Sequence, residues 1–311
     1  MGLTVAVTGP TGEIGKPFVR ALDRASEVER IVGMARRPFD PASLGLENTE
    51  YRQGDVLDRA AVDALAEEAD VLVHLAFIIM GGRDETREVN LSGSRNVFAA
   101  ARKVKRLVYT SSVAAYGFHA DNPQPLTEAV PPRGSDAFYY SAQKAELESV
   151  LEEEIAGTDV EPYVFRPCIV AGPDAPALLN QLPQRKLPGP DLPLLPDPSV
   201  RFQLVHHDDV ATALVAATLG QGPPGIYNLA GEGTITLGDL ARALGWFSVP
   251  VPRIAVRVAS LSAQLPLVPS QAEWLVAGRV PVVMDTTRAR TELGWQPRYS
   301  TRETLESLVA A

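Results

Sequence analysis

The feature that most limits what this chain can become lies at its start. A β-branched, apolar run over residues 3–8 passes directly into Gly9-Pro10-Thr11-Gly12-Glu13-Ile14-Gly15 and then into a helical pattern. Glycines spaced three apart at a strand-to-helix junction keep the turn tight and let backbone amides approach an anion. The anion sits at the helix N-terminus, where aligned peptide dipoles favour negative charge. A pyrophosphate suits such a cradle, and Gly9, Thr11, Gly12, Glu13, Ile14 and Gly15 are the residues expected to line it. A glycine turn can also be purely structural, so the rest of the chain has to decide.

Strand-like runs at 31–35, 50–53, 71–75, 106–111 and 162–166 alternate with helical patterns at 12–24, 59–68, 86–102 and 138–156. That alternation is the mark of βαβ units, and the expected fold class is α/β, a Rossmann-type doubly wound parallel sheet. Residues 172–199 are rich in proline and lack periodicity, as an irregular segment bordering a cleft would be. Strand-like runs at 202–205 and 225–229 bring the chain back to the sheet, and a helix at 237–244 begins a smaller, mainly helical part. The expected division is a dinucleotide-binding domain over 1–170, its sheet rejoined by about 202–230, with a substrate-binding cap from 171–201 and 231–311. The acidic run 152–154 reads as a solvated helix face, and no internal repeat is evident.

Composition removes several function classes. With 311 residues, 45% of them apolar, the chain can bury a large core without a covalent staple. Its one cysteine, Cys168, excludes an internal disulfide and a multi-cysteine zinc site; it reads as a small buried residue and fits a reducing, cytoplasmic setting. No metal is expected. A net charge of −9 without a dense Lys/Arg block argues against nucleic acid as a partner. The N-terminus lacks the pattern of a signal peptide. The most apolar stretches, 71–80 and 249–268, are short or broken by Pro and Arg, so no membrane association is expected.

Roughly 20 residues past the last glycine, such folds place an acid that binds the ribose 2′-hydroxyl of NAD. Here that place reads Ala35-Arg36-Arg37. Two guanidiniums can pair with a 2′-phosphate where a carboxylate would repel it, which favours NADP over NAD; the alternative is that Arg36 and Arg37 simply face solvent. After the third strand, Asp55 can accept from the adenine amino group, with Val56 beside it. Leu75, Ala76 and Phe77 after the fourth strand can border the adenosine and nicotinamide ends. His74 reads as a packed strand residue.

Tyr140-Ser141-Ala142-Gln143-Lys144 places a phenol and an ammonium one helical turn apart on one face. A free phenol titrates near ~10; an adjacent ammonium stabilises the phenolate and makes Tyr140 usable as an acid/base. Thr110-Ser111-Ser112 ends the fifth strand, so a hydroxyl at the carboxyl edge of the sheet can hold the reacting oxygen next to Tyr140. The glycine turn, the strand-end serine and the tyrosine/lysine pair are together far more specific than any one of them.

With these residues in view, the chain resembles an extended short-chain dehydrogenase/reductase, of the NAD-dependent epimerase/dehydratase family. Further matches run almost end to end: Val73-His74-Leu75-Ala76, Ser111 through Gly117, Arg166-Pro167, His206-His207-Asp208-Asp209-Val210 and Glu292 through Pro297. The resemblance implies that Ser112 is the substrate-oxygen donor, Tyr140 the acid/base and Lys144 a ribose-binding lysine that lowers the phenol's pKa. It places Pro167 beside the cofactor and Ser112, Val113, Cys168 and Arg201 toward the substrate. Tyr139 is one step out of register, and Asn90 takes a supporting role in packing or a water relay. The group most resembled is that similar to UDP-glucose 4-epimerases, with departures. The Asp-Glu pair of dehydratases is Val113-Ala114 here, and the epimerases' diphosphate-binding asparagine is Cys168. Arg201 matches a diphosphate-contacting arginine and Arg279 is the candidate for a second; both also read as surface charges.

Three functions are weighed. The first is NADP(H)-dependent reversible hydride transfer at a carbonyl/hydroxyl carbon, favoured by Arg36-Arg37 and by the apolar segment 246–268, which fits a pocket or contact less polar than a nucleotide-sugar site and equally fits ordinary core packing. The second is a UDP-hexose 4-epimerase with tightly bound NAD, and the third a non-catalytic NADP-sensing protein. The partners expected are a small-molecule substrate and a second copy of the chain, the homodimer being what the resemblance implies through helices 86–102 and 138–156.

Overall fold

The computed structural model describes residues 2–79, 86–176, 194–195, 197–245, 249–250 and 279–310. Its frame is a seven-stranded sheet built from β1 (Leu3–Thr8), β2 (Val28–Ala35), β3 (Thr49–Gln53), β4 (Val71–His74), β5 (Arg106–Thr110), β6 (Glu161–Pro167) and β11 (Gly225–Leu229). The spatial order is β11-β6-β5-β4-β1-β2-β3, and every pairing is parallel. The order reverses direction between β1 and β4, and a crevice at the carboxyl ends of those two strands is where open α/β sheets take ligands. This is the Rossmann-type fold expected.

Both faces of the sheet are covered, which is why its strands read as continuous apolar runs. Val5 and Val7 of β1 pack on one face with Phe18, Val19 and Leu22 of α1 (Gly15–Leu22). Ala6 and Val32 pack on the other, with Val62 and Leu65 of α2 (Arg59–Glu67), Val97 and Phe98 of α3 (Gly93–Ala100) and Leu147 and Leu151 of α4 (Tyr139–Ile155). The expected helix at 12–24 starts at Gly15 because the glycine turn occupies its first residues. The expected helix at 86–102 contains a feature the periodicity does not reveal: Glu88–Ser92 is a π-helical turn ahead of α3. Buried Asn90 lies in it and ties it to the neighbouring loop.

One expectation needs correction. Residues 202–205 do not rejoin the main sheet. β11 already occupies the free edge of β6, with Gly225 opposite Tyr163 and Leu229 opposite Pro167. The segment instead forms small ladders. Of these, β9 (Arg201–Phe202) runs antiparallel to β12 (Ile235–Thr236), and β10 (Leu204–His206) runs parallel to β7 (Ile169–Ala171). β8 (Leu194–Leu195) pairs with β13 (Val249–Pro250). A third core cluster joins Phe202, Leu204, Ile235 and Leu240 of α6 (Leu237–Ala243) to Leu305 and Leu308 of α8 (Thr301–Val309).

The segment from Glu292 to Pro297 follows α7 (Thr287–Glu292) and docks on the start of α5 (His207–Thr218). Trp295 donates its indole N–H to the Asp209 carbonyl at 2.8 Å, and the Asp209 carboxylate accepts from the backbone N–H groups of Arg298 and Tyr299. The apolar segment 246–268 lies outside the described residues apart from 249–250, as does most of 172–199.

Candidate active site

The glycine turn is built as its spacing demands. Gly9 has φ +78°, and a Cβ there would come within 2.7 Å of the Ala76 nitrogen, so the turn lies directly against the exit of β4. A Cβ on Gly15 would lie 2.2 Å from the Gly9 carbonyl oxygen, which forces the first turn of α1 against the loop. Gly12 differs: it is exposed, and among the described residues a Cβ there would meet only the Gly9 oxygen, at 3.5 Å. α1 has no side-chain cap; the Lys16 N–H is taken by the Gly12 carbonyl at 3.0 Å and Pro17 offers none. Two crowded glycines and one open one at a helix N-terminus fit a pyrophosphate, with Leu75, Ala76 and Phe77 half-buried beside it.

At the ends of β2 and β3, Arg36 and Arg37 are exposed, and neither guanidinium has an acidic partner among the described residues. Their backbone carbonyls are held instead, Arg36 by Gln53 Nε2 at 2.9 Å and Arg37 by the Tyr51 hydroxyl. Asp55 is half-buried and accepts from the Leu57 N–H at 3.0 Å; Val56 is buried against Gly93.

Tyr140, Lys144 and Ser112 come together at the carboxyl end of β5. Ser112 caps the short helical turn Val113–Tyr116 by accepting from the Ala114 N–H at 3.1 Å, and its hydroxyl acts on the Tyr140 phenol to lower its pKa. Phe77 meets the Tyr140 ring edge-on at 5.5 Å, and Phe138 flanks it at 5.7 Å. The Lys144 ammonium is buried, donates to the Thr110 carbonyl at 3.0 Å and sits 3.8 Å over the Phe77 ring. The electrostatics differ from the expectation drawn from spacing. Burial pushes the phenol of Tyr140 up to about 12, against the Ser112 hydrogen bond, and pulls Lys144 down to about 7, against the charge of Glu148. Desolvation is the largest cause for both groups, because neither faces water.

His74 is the packed residue expected. It is buried, bonded to Thr8 Oγ1 at 2.7 Å and Ser94 Oγ at 2.9 Å, and burial drives it down to about 3, so it stays neutral. Tyr139 points elsewhere, its hydroxyl donating to the Ile79 carbonyl at 2.5 Å. Asn90 clamps the Ile78 backbone in both directions and donates to Gln143 Oε1 at 2.8 Å, holding the loop after β4 to α4.

The proposed substrate-side residues are less concentrated. Val113 is buried beside Ser112. Pro167 ends β6, and Cys168 follows it inside the main core, where burial pushes its thiol far up. Arg201 is exposed on the small β9–β12 ladder, and Arg279 is exposed at the edge of the described C-terminal segment.

Two residues that matter to the site were not singled out for it. Glu148 lies one turn beyond Lys144 on α4, and Arg166 on β6 pairs with it at 2.5 Å, with side chains 5% and 0% exposed. The i, i+4, i+8 series Tyr140, Lys144, Glu148 was the available signal for the first. His206, His207 and Asp208 also bring three ligand-type atoms within 4.8 Å of one another. One nitrogen of each ring already accepts a backbone N–H, His206 Nδ1 from Asp208 and His207 Nε2 from Asp174. In a neutral ring the other nitrogen is then protonated, so the group reads as the hydrogen-bonded cap of α5.

The sequence of residues 5–230 matches the model of the NAD-dependent epimerase/dehydratase family. The chain belongs to that family. It is accordingly an NAD(P)-dependent enzyme. A protein of Mycobacterium tuberculosis with no assigned function is 27% identical over 97% of this chain and 82% of its own length. Sterol demethylase protein B of Methylococcus capsulatus is 31% identical over 176 residues, 55% of this chain and 52% of that protein. Among solved structures, UDP-glucuronic acid 4-epimerase from Bacillus cereus in complex with NAD covers 99% of this chain and 98% of its own, with a TM-score of 0.74 at 18% identity, a likeness of fold.

Proposed function

We propose that this family member catalyses reversible hydride transfer between a nicotinamide dinucleotide and a carbonyl/hydroxyl carbon, with Tyr140 as acid/base, and that its cofactor is NADP(H). The observation that carries the reading is the assembled trio: Tyr140 and Lys144 on one helical face, both against Phe77 of the loop that packs on Gly9, with Lys144 held to Thr110 and Ser112 at the end of β5 acting on the phenol. When bound, the dinucleotide supplies or takes up the hydride at its nicotinamide ring. The chain's own residues do the rest. Gly9, Thr11, Gly12, Glu13, Ile14 and Gly15 hold the pyrophosphate, Arg36 and Arg37 pair with a 2′-phosphate, and Asp55, Val56, Leu75, Ala76, Phe77 and Pro167 line the remainder. Ser112 orients the substrate oxygen and Tyr140 passes it a proton. A phenol pushed up to about 12 carries that proton at neutral pH, which suits the direction of carbonyl reduction. Lys144 binds the ribose. Val113, Cys168 and Arg201 stand on the substrate side, in a cap drawn from 171–201 and 231–311.

A 4-epimerase acting on a nucleotide sugar with bound NAD is the second reading. It is favoured by the family and by the end-to-end likeness to the NAD-bound Bacillus cereus enzyme. Incubating the purified protein with NADPH and a carbonyl panel, and separately with UDP-sugars, decides between them. Stoichiometric NADPH oxidation is the expected result; sugar interconversion without cofactor consumption overturns the reductase reading. Tyr140→Phe is expected to lower kcat by about 10²-fold or more with NADPH affinity nearly unchanged, and full activity in that variant overturns the acid/base role.

A further inference from the structure

Three consecutive residues at the end of β5 are each held by one of three side chains spaced a turn apart on α4. Tyr140 meets Ser112, Lys144 donates to the Thr110 carbonyl at 3.0 Å, and Glu148 accepts from Ser111 Oγ at 2.5 Å. The third contact brings a buried negative charge that has to be accounted for. Arg166 donates to both oxygens of Glu148, Nε at 3.0 Å and Nη2 at 2.5 Å, donates from Nη1 to the Val130 carbonyl at 3.2 Å, and lies 4.4 Å over the Tyr116 ring. The Tyr116 hydroxyl in turn donates to Asn228 Oδ1 at 2.7 Å, so the network is anchored in β11. Every polar atom of this carboxylate is used. An ion pair so completely enclosed adds little net stability, because desolvation offsets most of its attraction. What it does supply is a fixed negative charge one helical turn from Lys144.

We propose that Glu148, held by Arg166, is a positioning residue that registers the catalytic helix on the end of β5 and keeps Lys144 cationic. This rests on the reading of Ser112, Tyr140 and Lys144 given under Proposed function. The groups facing Lys144 are His74 from β4, Tyr109 from β5 with its ring 5.3 Å from the ammonium, Phe77 from the loop after β4, and Tyr140 and Glu148 from its own helix. His74 is neutral and both tyrosine phenols are pushed up by burial, so none of these three carries a charge at neutral pH. Glu148 is the anion of the set, and it opposes the burial that brings Lys144 down to about 7. Without it burial would act unopposed on Lys144, and the Thr110 carbonyl would be bonded by a neutral amine in place of the stronger, charge-assisted ammonium.

The test is an NMR titration of the folded protein carrying 13Cε-labelled lysine, with the Lys144 resonance assigned by its absence in Lys144→Met. It needs neither cofactor nor turnover, so it stands or falls separately from the proposed reaction, whose own test is Tyr140→Phe. In Glu148→Gln the Lys144 midpoint is expected to fall by at least about one pH unit. That variant leaves Arg166 buried and unpaired, and its remaining positive charge adds to the fall, so Glu148→Gln combined with Arg166→Met is titrated alongside it, where a smaller fall is expected because both charges of the pair are gone. A midpoint that stays in place or rises in the folded double variant overturns the proposal. Ser111→Ala removes the strand tie and leaves the charge, and is expected to keep the midpoint; an equal fall there would assign the effect to repacking and overturn the electrostatic role.

Discussion

Replacing Gly12 and Gly15 separately by alanine should divide the stability of the fold from its capacity to hold a dinucleotide. At Gly15 the new methyl would lie 2.2 Å from the Gly9 oxygen and 2.7 Å from the Pro10 carbonyl carbon. Both are backbone atoms that cannot rotate away. Overpacking of this kind costs about 1–3 kcal/mol, offset in part by the better helix propensity of alanine, up to ~1 kcal/mol. For a chain of this size that corresponds to a fall of roughly 2–10 °C in melting temperature. At Gly12 the methyl meets one oxygen at 3.5 Å, an ordinary contact, and the residue does not lie in the left-handed region. The fold should therefore be indifferent, with a melting temperature within about 2 °C of the parent. The methyl would nevertheless stand between the amides of the turn and a pyrophosphate, and loss of one charge-assisted hydrogen bond, about 1.5–3 kcal/mol, is roughly a 10- to 150-fold weaker Kd. Thermal melts by circular dichroism and NADPH titration by fluorescence separate the two effects. If Gly12→Ala melts early and binds normally, or Gly15→Ala melts like the parent, the assignment of the open and crowded sides of the turn is wrong.

Arg36→Ala and Arg37→Ala should each weaken NADP about tenfold or more, from loss of a charge-assisted bond to phosphate, and change NAD by less than about twofold; equal losses for both cofactors in calorimetry would remove the phosphate-pairing role. His74 makes stability fall in acid. Its folded-state value is depressed from 6.5 to about 3, so the unfolded chain binds the proton first and stability is lost as pH drops below 6.5. At pH 5 its contribution is about 2 kcal/mol, and urea melts of the parent and of His74→Gln should converge toward pH 5; parallel curves would refute it. Cys168 should resist thiol reagents until the protein unfolds, since burial keeps it as a thiol. Rapid labelling of the native protein at neutral pH would contradict that placement.

Much of the frame could be read from local pattern. The strand runs, the glycine turn and the helical spacing of Tyr140 and Lys144 are short-range features, and short-range sterics and periodicity are sufficient to specify them. The same holds for the identity of the turn residues: Gly9 and Gly15 are glycines because the junction leaves no room for a Cβ. Pairing choices were another matter. Residues 201–206 carry strand character, yet which neighbour they find depends on β11 having taken the edge of β6, an event distant in sequence. The π-turn around Asn90 is likewise invisible in a helical pattern and is defined by contacts to Ile78 and Gln143.

The acidity of the site marks the boundary most clearly. Spacing alone places an ammonium beside a phenol and suggests a lowered phenol pKa. The folded chain encloses Tyr140 between Phe77 and Phe138 and Lys144 over Phe77, and withdrawal of water pushes both groups toward their neutral forms. The sequence by itself determined which chemical groups meet along one helix. Tertiary structure decided their charge, because desolvation and the reach of Glu148 and Arg166 depend on what surrounds a residue in space and not on its neighbours in the chain.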